Sequence, residues 1–245
     1  MYLEHWGLKH RPFRNSPEAR FFFHSATHDA ALAELLYAVD ESLGLELLTG
    51  PFGGGKSLLL HVLLSGLGSS ADYRMGLLTN SLLGPAETVL AAARALGADE
   101  LPQLAAEVSE SYAQDRLEKR LAALAGSGKR AVLALDDAHA IQSGAVLESL
   151  RQMLSIQSDG RPLLTLILCG AEGLRERVEA VPGLSERVGV HTALVPLAPE
   201  ETLDYVMHRL ARAGAESGIF TRGAAEMLAR MSGGLPGRIN RLADL

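Results

Sequence analysis

The chain has 245 residues, 47% of them hydrophobic and 21% charged, which is the make-up of a folded domain and excludes wholesale disorder. A net charge of −6 argues against a broad basic nucleic-acid surface, and a single cysteine, Cys169, excludes an intrachain disulfide and a multi-cysteine metal site. The opening MYLEHWGLKHRPF is no signal peptide, and no apolar run approaches the roughly 20 residues of a spanning helix, so a cytoplasmic domain with no membrane segment is expected.

Seven of the twelve aromatic residues lie in the first forty positions: Tyr2, Trp6, Phe13, Phe21, Phe22, Phe23 and Tyr37. Such a segment either wraps onto the core or lines a planar ligand such as a base. Ser25 then caps a helix whose apolar residues Leu32, Leu35, Leu36 and Val39 follow helical spacing, and Gly44 breaks it. Leu45–Thr49 reads as a strand, Gly50–Ser57 as a glycine-rich turn and Leu58–Leu67 as an apolar helix. Tyr73–Thr79 is a second strand. Helices follow at Pro85–Leu96 and about Ala113–Leu124, joined by an acidic stretch with Glu107 and Glu110. Ala131–Leu135 and Leu163–Cys169 read as buried strands flanking an amphipathic helix at Val146–Ile156. Val188–Leu197 is a fifth strand. Alternating strands and helices imply a parallel sheet covered on both faces. After Pro199 three helices follow without a strand: Glu200–Ala213, Thr221–Met231 and Pro236 onward. The expected division is a core over 1–198, including the aromatic segment, and a helical lid over 199–245. Because the sequence stops inside a helical pattern at Leu245, the natural protein is expected to continue.

The strongest local signal is Gly50-Pro51-Phe52-Gly53-Gly54-Gly55-Lys56-Ser57, which fits G-x-x-x-x-G-K-[ST], the P-loop pattern. Glycines let backbone N–H groups curl around phosphate oxygens, and the following helix, beginning near Leu58, points its positive end at the same anion. Lys56 would reach the β- and γ-phosphates and the Ser57 hydroxyl would bind Mg²⁺. About eighty residues on, an apolar strand ends in Asp136-Asp137; Asp136 would hold Mg²⁺ through water at the strand's carboxyl end. Asp137 stands where ATPases of this layout usually carry Glu to align the attacking water. Asp is one methylene shorter, and a misplacement of about 1 Å costs on the order of 100-fold in rate, so Asp137 is a weaker base, a compensated base or no base. No lysine sits in an N/T-K-x-D element, which disfavours guanine and leaves adenine, and only one P-loop core fits, which disfavours a two-domain helicase. ATP with Mg²⁺ is therefore the expected ligand.

These residues, taken with their order along the chain, resemble the ExeA-type ATPases of the AAA+ class, the general secretion pathway A family. The resemblance runs through Trp6-Gly7-Leu8, Pro12-Phe13 and Phe21-Phe22-Phe23, then Leu47–Lys56, Asp136-Asp137-Ala138-His139, Leu168–Arg175, Arg187-Val188, Pro196-Leu197, Glu200–Thr202 and Ser232–Asn240. It implies an α/β P-loop NTPase fold, an αβα sandwich with a parallel sheet plus a C-terminal helical lid. It also implies Arg187 as an arginine finger acting on ATP in a neighbouring subunit, or else a rim ion pair with Glu186 or another acid. Arg238 would be a sensor in the lid, or else a solvated helix residue. Ala171-Glu172 replaces the family's Gln-Pro, and Ala171 has no side-chain hydrogen bond to offer a γ-phosphate. Binding elements are thus intact and two hydrolysis elements altered, a pattern that favours slow turnover or a nucleotide-held switch. The implied setting is a homo-oligomer assisting assembly of an envelope machine, a secretin or pilus. A DNA-binding regulator of the transposition-ATPase type is the rival, disfavoured by charge, and a hydrolysis-deficient ATP-binding scaffold is a third reading. Cys169 reads as core, and His139 either contacts the site or fills a turn.

Overall fold

The computed structural model describes residues 2–99, 101–102, 108–215 and 219–244. Glu107 of the expected acidic stretch lies outside the described residues, as does Leu245. The elements run α1 (Tyr2–His5), α2 (Ala26–Glu41), β1 (Leu45–Thr49), α3 (Lys56–Gly68), β2 (Tyr73–Leu78), α4 (Pro85–Ala95), α5 (Glu110–Gly126), β3 (Arg130–Leu135) and α6 (Gly144–Met153). They continue with β4 (Gln157–Ser158), β5 (Arg161–Pro162), β6 (Leu164–Gly170), α7 (Leu174–Glu179), α8 (Pro182–Ser185), β7 (Val188–Ala193), α9 (Pro199–Arg212), α10 (Arg222–Ser232) and α11 (Pro236–Ala243).

The chain gathers into two compact units. One comprises Ala33–Thr49 and Leu63–Ala193 and holds a five-stranded sheet in the order β2-β3-β6-β1-β7, every pair parallel. Every residue of β1 and β6 is buried, and in β3 only Arg130 is not, as expected of parallel strands covered on both faces. Leu90, Leu117, Leu133, Leu150 and Leu166 are at the centre of its core. Because β1 pairs with β6 and β7 rather than with β2, the sheet has a switch point at the carboxyl ends of its central strands, where α/β sheets place ligands. β1 also buries a carboxyl group: Glu46 is wholly inaccessible and lies against the backbone of Gly189 and Val190. Burial pushes its pKa up to about 8.

The other unit is assembled from Met1–Leu32, Gly50–Val62 and Leu194–Leu245. Its core joins α9, α10 and α11 through Leu197, Val206, Leu210, Leu228 and Ile239, with Phe13 of the N-terminal segment inserted. Arg209 of α9 is 2% exposed and anchors that segment. Its guanidinium donates to the carbonyls of Pro12 and Arg14 and stacks 4.5 Å from the Phe21 ring. The early aromatics therefore split: Phe13, Phe21 and Phe22 are buried, whereas Trp6 is 45% exposed and Tyr37 60%.

Several boundaries differ from the sequence expectation for identifiable reasons. The last main strand stops at Ala193, not Leu197, because Pro196 has no N–H to give a ladder and the Leu197 N–H is taken by the Gly234 carbonyl. Helix α5 starts three residues early, at Glu110, where the Ser109 hydroxyl caps the Tyr112 N–H. Helix α3 starts at Lys56, inside the expected turn. The single-turn helices α7 and α8 and the ribbon β4–β5 are too short to leave a periodic signal.

Candidate nucleotide-binding site

In the glycine-rich loop four backbone carbonyls have identified donors. Those of Gly50 and Pro51 accept from Lys56 Nζ, each at 2.9 Å, and Pro51 also accepts from the Gly54 N–H at 3.1 Å. The Gly53 carbonyl accepts from Gly237 N at 2.8 Å, and the Gly54 carbonyl from the His28 ring at 3.0 Å. Three of these glycines have positive φ: Gly50 at 150°, Gly53 at 76° and Gly55 at 97°. A Cβ on Gly50 would lie 2.8 Å from the Leu194 oxygen, and one on Gly55 2.7 Å from His28 Nε2. With its carbonyls tied off, the loop hands over to the first turn of α3, whose N–H groups have no intrahelical acceptor. Ser57 is exposed on that turn and Leu58 half-buried. Phe52 is 70% exposed, with Lys56 Nζ 5.8 Å from its ring centre.

Residues from both ends of the chain brace this loop, and sequence reasoning singled out only some of them. His28, 6% exposed, sits on the first turn of α2, and its Nδ1 lies 2.7 Å from the Ser25 hydroxyl. A carbonyl can only accept, so Nε2 carries the proton toward Gly54 and Nδ1 accepts from Ser25. Burial lowers the His28 pKa and favours that neutral ring. On the other side, a Cβ on Gly237 would lie 2.9 Å from Gly53 Cα, so only glycine lets the start of α11 approach the loop. Asn15 Nδ2 donates to the Gly237 carbonyl at 3.1 Å, Asn240 Nδ2 donates to Asn15 Oδ1 at 2.8 Å, and the Tyr205 hydroxyl donates to Asn240 Oδ1 at 2.8 Å. Arg238 follows Gly237 and is exposed on the first turn of α11. A cavity of about 30 Å³ opens beside the loop among Phe21, Phe22, Phe23, His28, Leu58 and Tyr205. The tripeptide Phe21-Phe22-Phe23 thus both packs on the core and walls a pocket. His28 is absent from the sequence expectations; the spacing Ser25-x-x-His28, a cap followed by a polar ring on the same turn, is the local signal that could have found it.

Asp136 and Asp137 belong to the sheet-bearing unit, at the carboxyl end of β3. Asp136 is braced by its backbone: its N–H donates to the Leu78 carbonyl at 2.9 Å, and its carbonyl accepts from the Ser81 hydroxyl at 2.9 Å. Its Oδ1 accepts the Asp137 N–H at 2.9 Å. Asp137 is exposed and left-handed, with φ 52° and ψ 31°, a conformation Asp and Asn adopt more readily than longer side chains. His139 fills the turn, with Nδ1 3.9 Å from Asp137 Oδ1. Ala171 is buried just past β6, and Cys169 is fully buried within it. At the end of β1, Thr49 Oγ1 lies 2.9 Å from His191 Nε2, and the Arg175 guanidinium 3.5 Å from His191 Nδ1.

Arg187 lies just before β7, at the amino-terminal end of the strands. Its carbonyl accepts from Leu45, the first residue of β1, whereas the glycine loop follows Thr49, the last. The two ends of that strand are roughly 13 Å apart at 3.3 Å per residue. The guanidinium does not pair with Glu186. It donates to the Leu154 carbonyl at 2.7 Å and to Ser155 Oγ at 3.1 Å, closing the C-terminus of α6.

A profile of the AAA domain family matches residues 20–178. The chain belongs to that family. It is 31% identical, over its whole length, to general secretion pathway protein A of Aeromonas hydrophila, of which it spans 44%. It is an AAA-type ATPase domain related to that protein. The fold is also that of the Aeropyrum pernix ORC1 protein, solved in complex with DNA, with a TM-score of 0.73 at 18% identity over 94% of this chain and 63% of that one. The Aeropyrum pernix ORC2 protein, solved as ADPNP–ADP complexes, gives 0.71 at 15% identity over 95% of this chain and 64% of that one. The chain thus spans less than two thirds of each relative. No described helix is long and apolar enough to cross a membrane.

Proposed function

We propose that this domain binds Mg-ATP at Gly50–Leu58 and couples binding and hydrolysis to self-association, in the service of assembling a bacterial secretion or pilus machine. The observation that carries the binding reading is the loop itself, whose carbonyls at 50, 51, 53 and 54 are all occupied while its glycines leave no side chain in the way. Lys56 would exchange two carbonyls for the β- and γ-phosphates, and the exposed Ser57 with Asp136 would hold Mg²⁺, which supplies charge neutralisation between the phosphates. The cavity walled by Phe21–Phe23 would take the adenine ring. Its present 30 Å³ is too small for a base, so nucleotide entry would move those aromatics. The lid over 199–245 would report nucleotide state through Arg238 and the Gly237–Gly53 contact.

Hydrolysis would rest on Asp137 in cis and Arg187 in trans. The trans role of Arg187 rests on the resemblance to the family, and in this copy its guanidinium is engaged by the Leu154 carbonyl. The secretion role rests on the relative's name and on identity over 44% of it. A second reading, a nucleotide-held scaffold with little turnover, is favoured by the buried methyl of Ala171 and the exposed, left-handed Asp137. Binding and turnover measured on one sample, with Lys56→Ala and Asp137→Glu, test both readings. Turnover lost in Lys56→Ala supports the enzyme, binding without turnover supports the scaffold, and no binding removes both. Salt-sensitive retention of the same sample on DNA would instead support a DNA-bound regulator.

A further inference from the structure

Among the described residues outside the P-loop motif, one buried polar side chain, that of His28, is seen to contact the loop. His28 combines 6% exposure, a bond to the loop backbone and a second bond that fixes its protonation. The bond has a consequence set by peptide geometry. The Gly54 carbonyl and the Gly55 N–H belong to one planar trans peptide, so they point in opposite directions. A donor that holds the carbonyl on the α2 side therefore turns the Gly55 N–H to the other side. Glycine on both sides of that peptide, with Gly55 at φ 97°, makes its rotation unusually easy. Turned over, the same peptide would present a carbonyl oxygen where an amide proton is wanted, and an anion would meet a negative dipole.

We infer that His28 is a positioning residue of the nucleotide site, whose Nε2–H pins the Gly54–Gly55 peptide so that the Gly55 amide faces phosphate. This rests on the reading of Gly50–Leu58 as a phosphate-binding loop. Ser25 completes the device: its hydroxyl donates to Nδ1 and so leaves the proton on Nε2, and it also accepts the His28 backbone N–H at 3.3 Å. Hydrophobic packing alone does not require a histidine here. The ring meets Phe22 edge-on at 6.1 Å, a contact that a leucine or phenylalanine could also make.

The experiment compares wild type, His28→Leu, His28→Gln and Lys56→Ala in titrations with ADP and with inorganic tripolyphosphate, alongside nucleotide-free melting. Leucine fills the space without a donor, and glutamine carries an amide N–H at about the reach of Nε2. The expected result is at least about a tenfold weakening of both ligands in His28→Leu, with His28→Gln within about threefold of wild type, since one hydrogen bond to a charged group is at stake. Equal loss for the two ligands distinguishes a role at the phosphates from contact with the base, because tripolyphosphate has no base. Binding by His28→Leu equal to wild type overturns the proposal, as does a loss confined to ADP, or His28→Gln no better than His28→Leu. If wild type binds neither ligand, or Lys56→Ala binds as wild type does, the phosphate-loop reading falls first and this inference with it. Should His28→Leu not fold, nitrogen-15 spectra of the wild-type imidazole decide: a neutral ring protonated at Nε2 is expected, and protonation at Nδ1 overturns the proposal.

Discussion

The glycine loop and the acidic turn are held in different ways. From Gly50 to Gly54 four carbonyls are engaged, by Lys56, by His28 of α2 and by Gly237 of α11, and Asn15 and Asn240 back up the last of these. The turn after β3 is fixed through the backbone of Asp136, but Asp137 projects into solvent, with 3.9 Å to His139. The group that would align a water is thus the least constrained part of either element, whereas the loop is shaped in advance. Preorganised donors are stronger than ones that must be ordered at the moment of binding, so this difference fits a domain that grips nucleotide firmly and turns it over slowly.

Four variants would break or sharpen that contrast. Lys56→Ala should have the largest effect, at least about 100-fold weaker ATP binding by calorimetry, since a buried cation in the loop is lost. Arg187→Ala should lower turnover about tenfold or more at concentrations where the domain self-associates, and leave ADP affinity within about threefold. A melting temperature lowered with turnover intact would reduce Arg187 to the cap it forms on α6. Gly237→Ala should weaken ADP by about tenfold, because its methyl cannot fit 2.9 Å from Gly53 Cα; unchanged affinity would mean the loop does not depend on α11. The smallest change concerns stability. Glu46, with a folded pKa of about 8 against 4.5 for the free carboxyl, binds a proton between those values that the unfolded chain releases. The contribution of Glu46 to stability is therefore fully present below about pH 4.5 and is lost as pH rises through about 8. Glu46→Gln should remove that slope, raising the melting temperature by about 5 °C more at pH 8 than at pH 5.

Much of the sheet was legible. Leu45–Thr49 came out to the residue, because a short leucine-rich run closed by Gly44 and Gly50 has few other uses, even with Glu46 inside it. The three lid helices were likewise visible, with the Thr221 hydroxyl capping the Ala224 N–H and Pro236 opening α11. Glycine spacing pointed to Gly50–Ser57 as the loop proposed to hold phosphate. What the sequence did not reveal was how that loop is held. Gly237, Asn15 and Asn240 act across separations of up to 225 residues, and no local periodicity records such contacts. Asp137 was legible as a departure in length, but its left-handed backbone was not. That backbone gives the shorter acid a local reason that has nothing to do with catalysis.

The unit carrying the glycine loop is drawn from three separate stretches of chain, the last beginning at Leu194. During synthesis from the N-terminus, the strand β1 and the loop after it emerge well before the backbone donor at Gly237. A nascent chain can thus assemble its parallel sheet well before its glycine loop has all its supports. The loop is then braced only after the sheet has formed, and translation halted before Gly237 would leave a folded sheet with an unbraced loop.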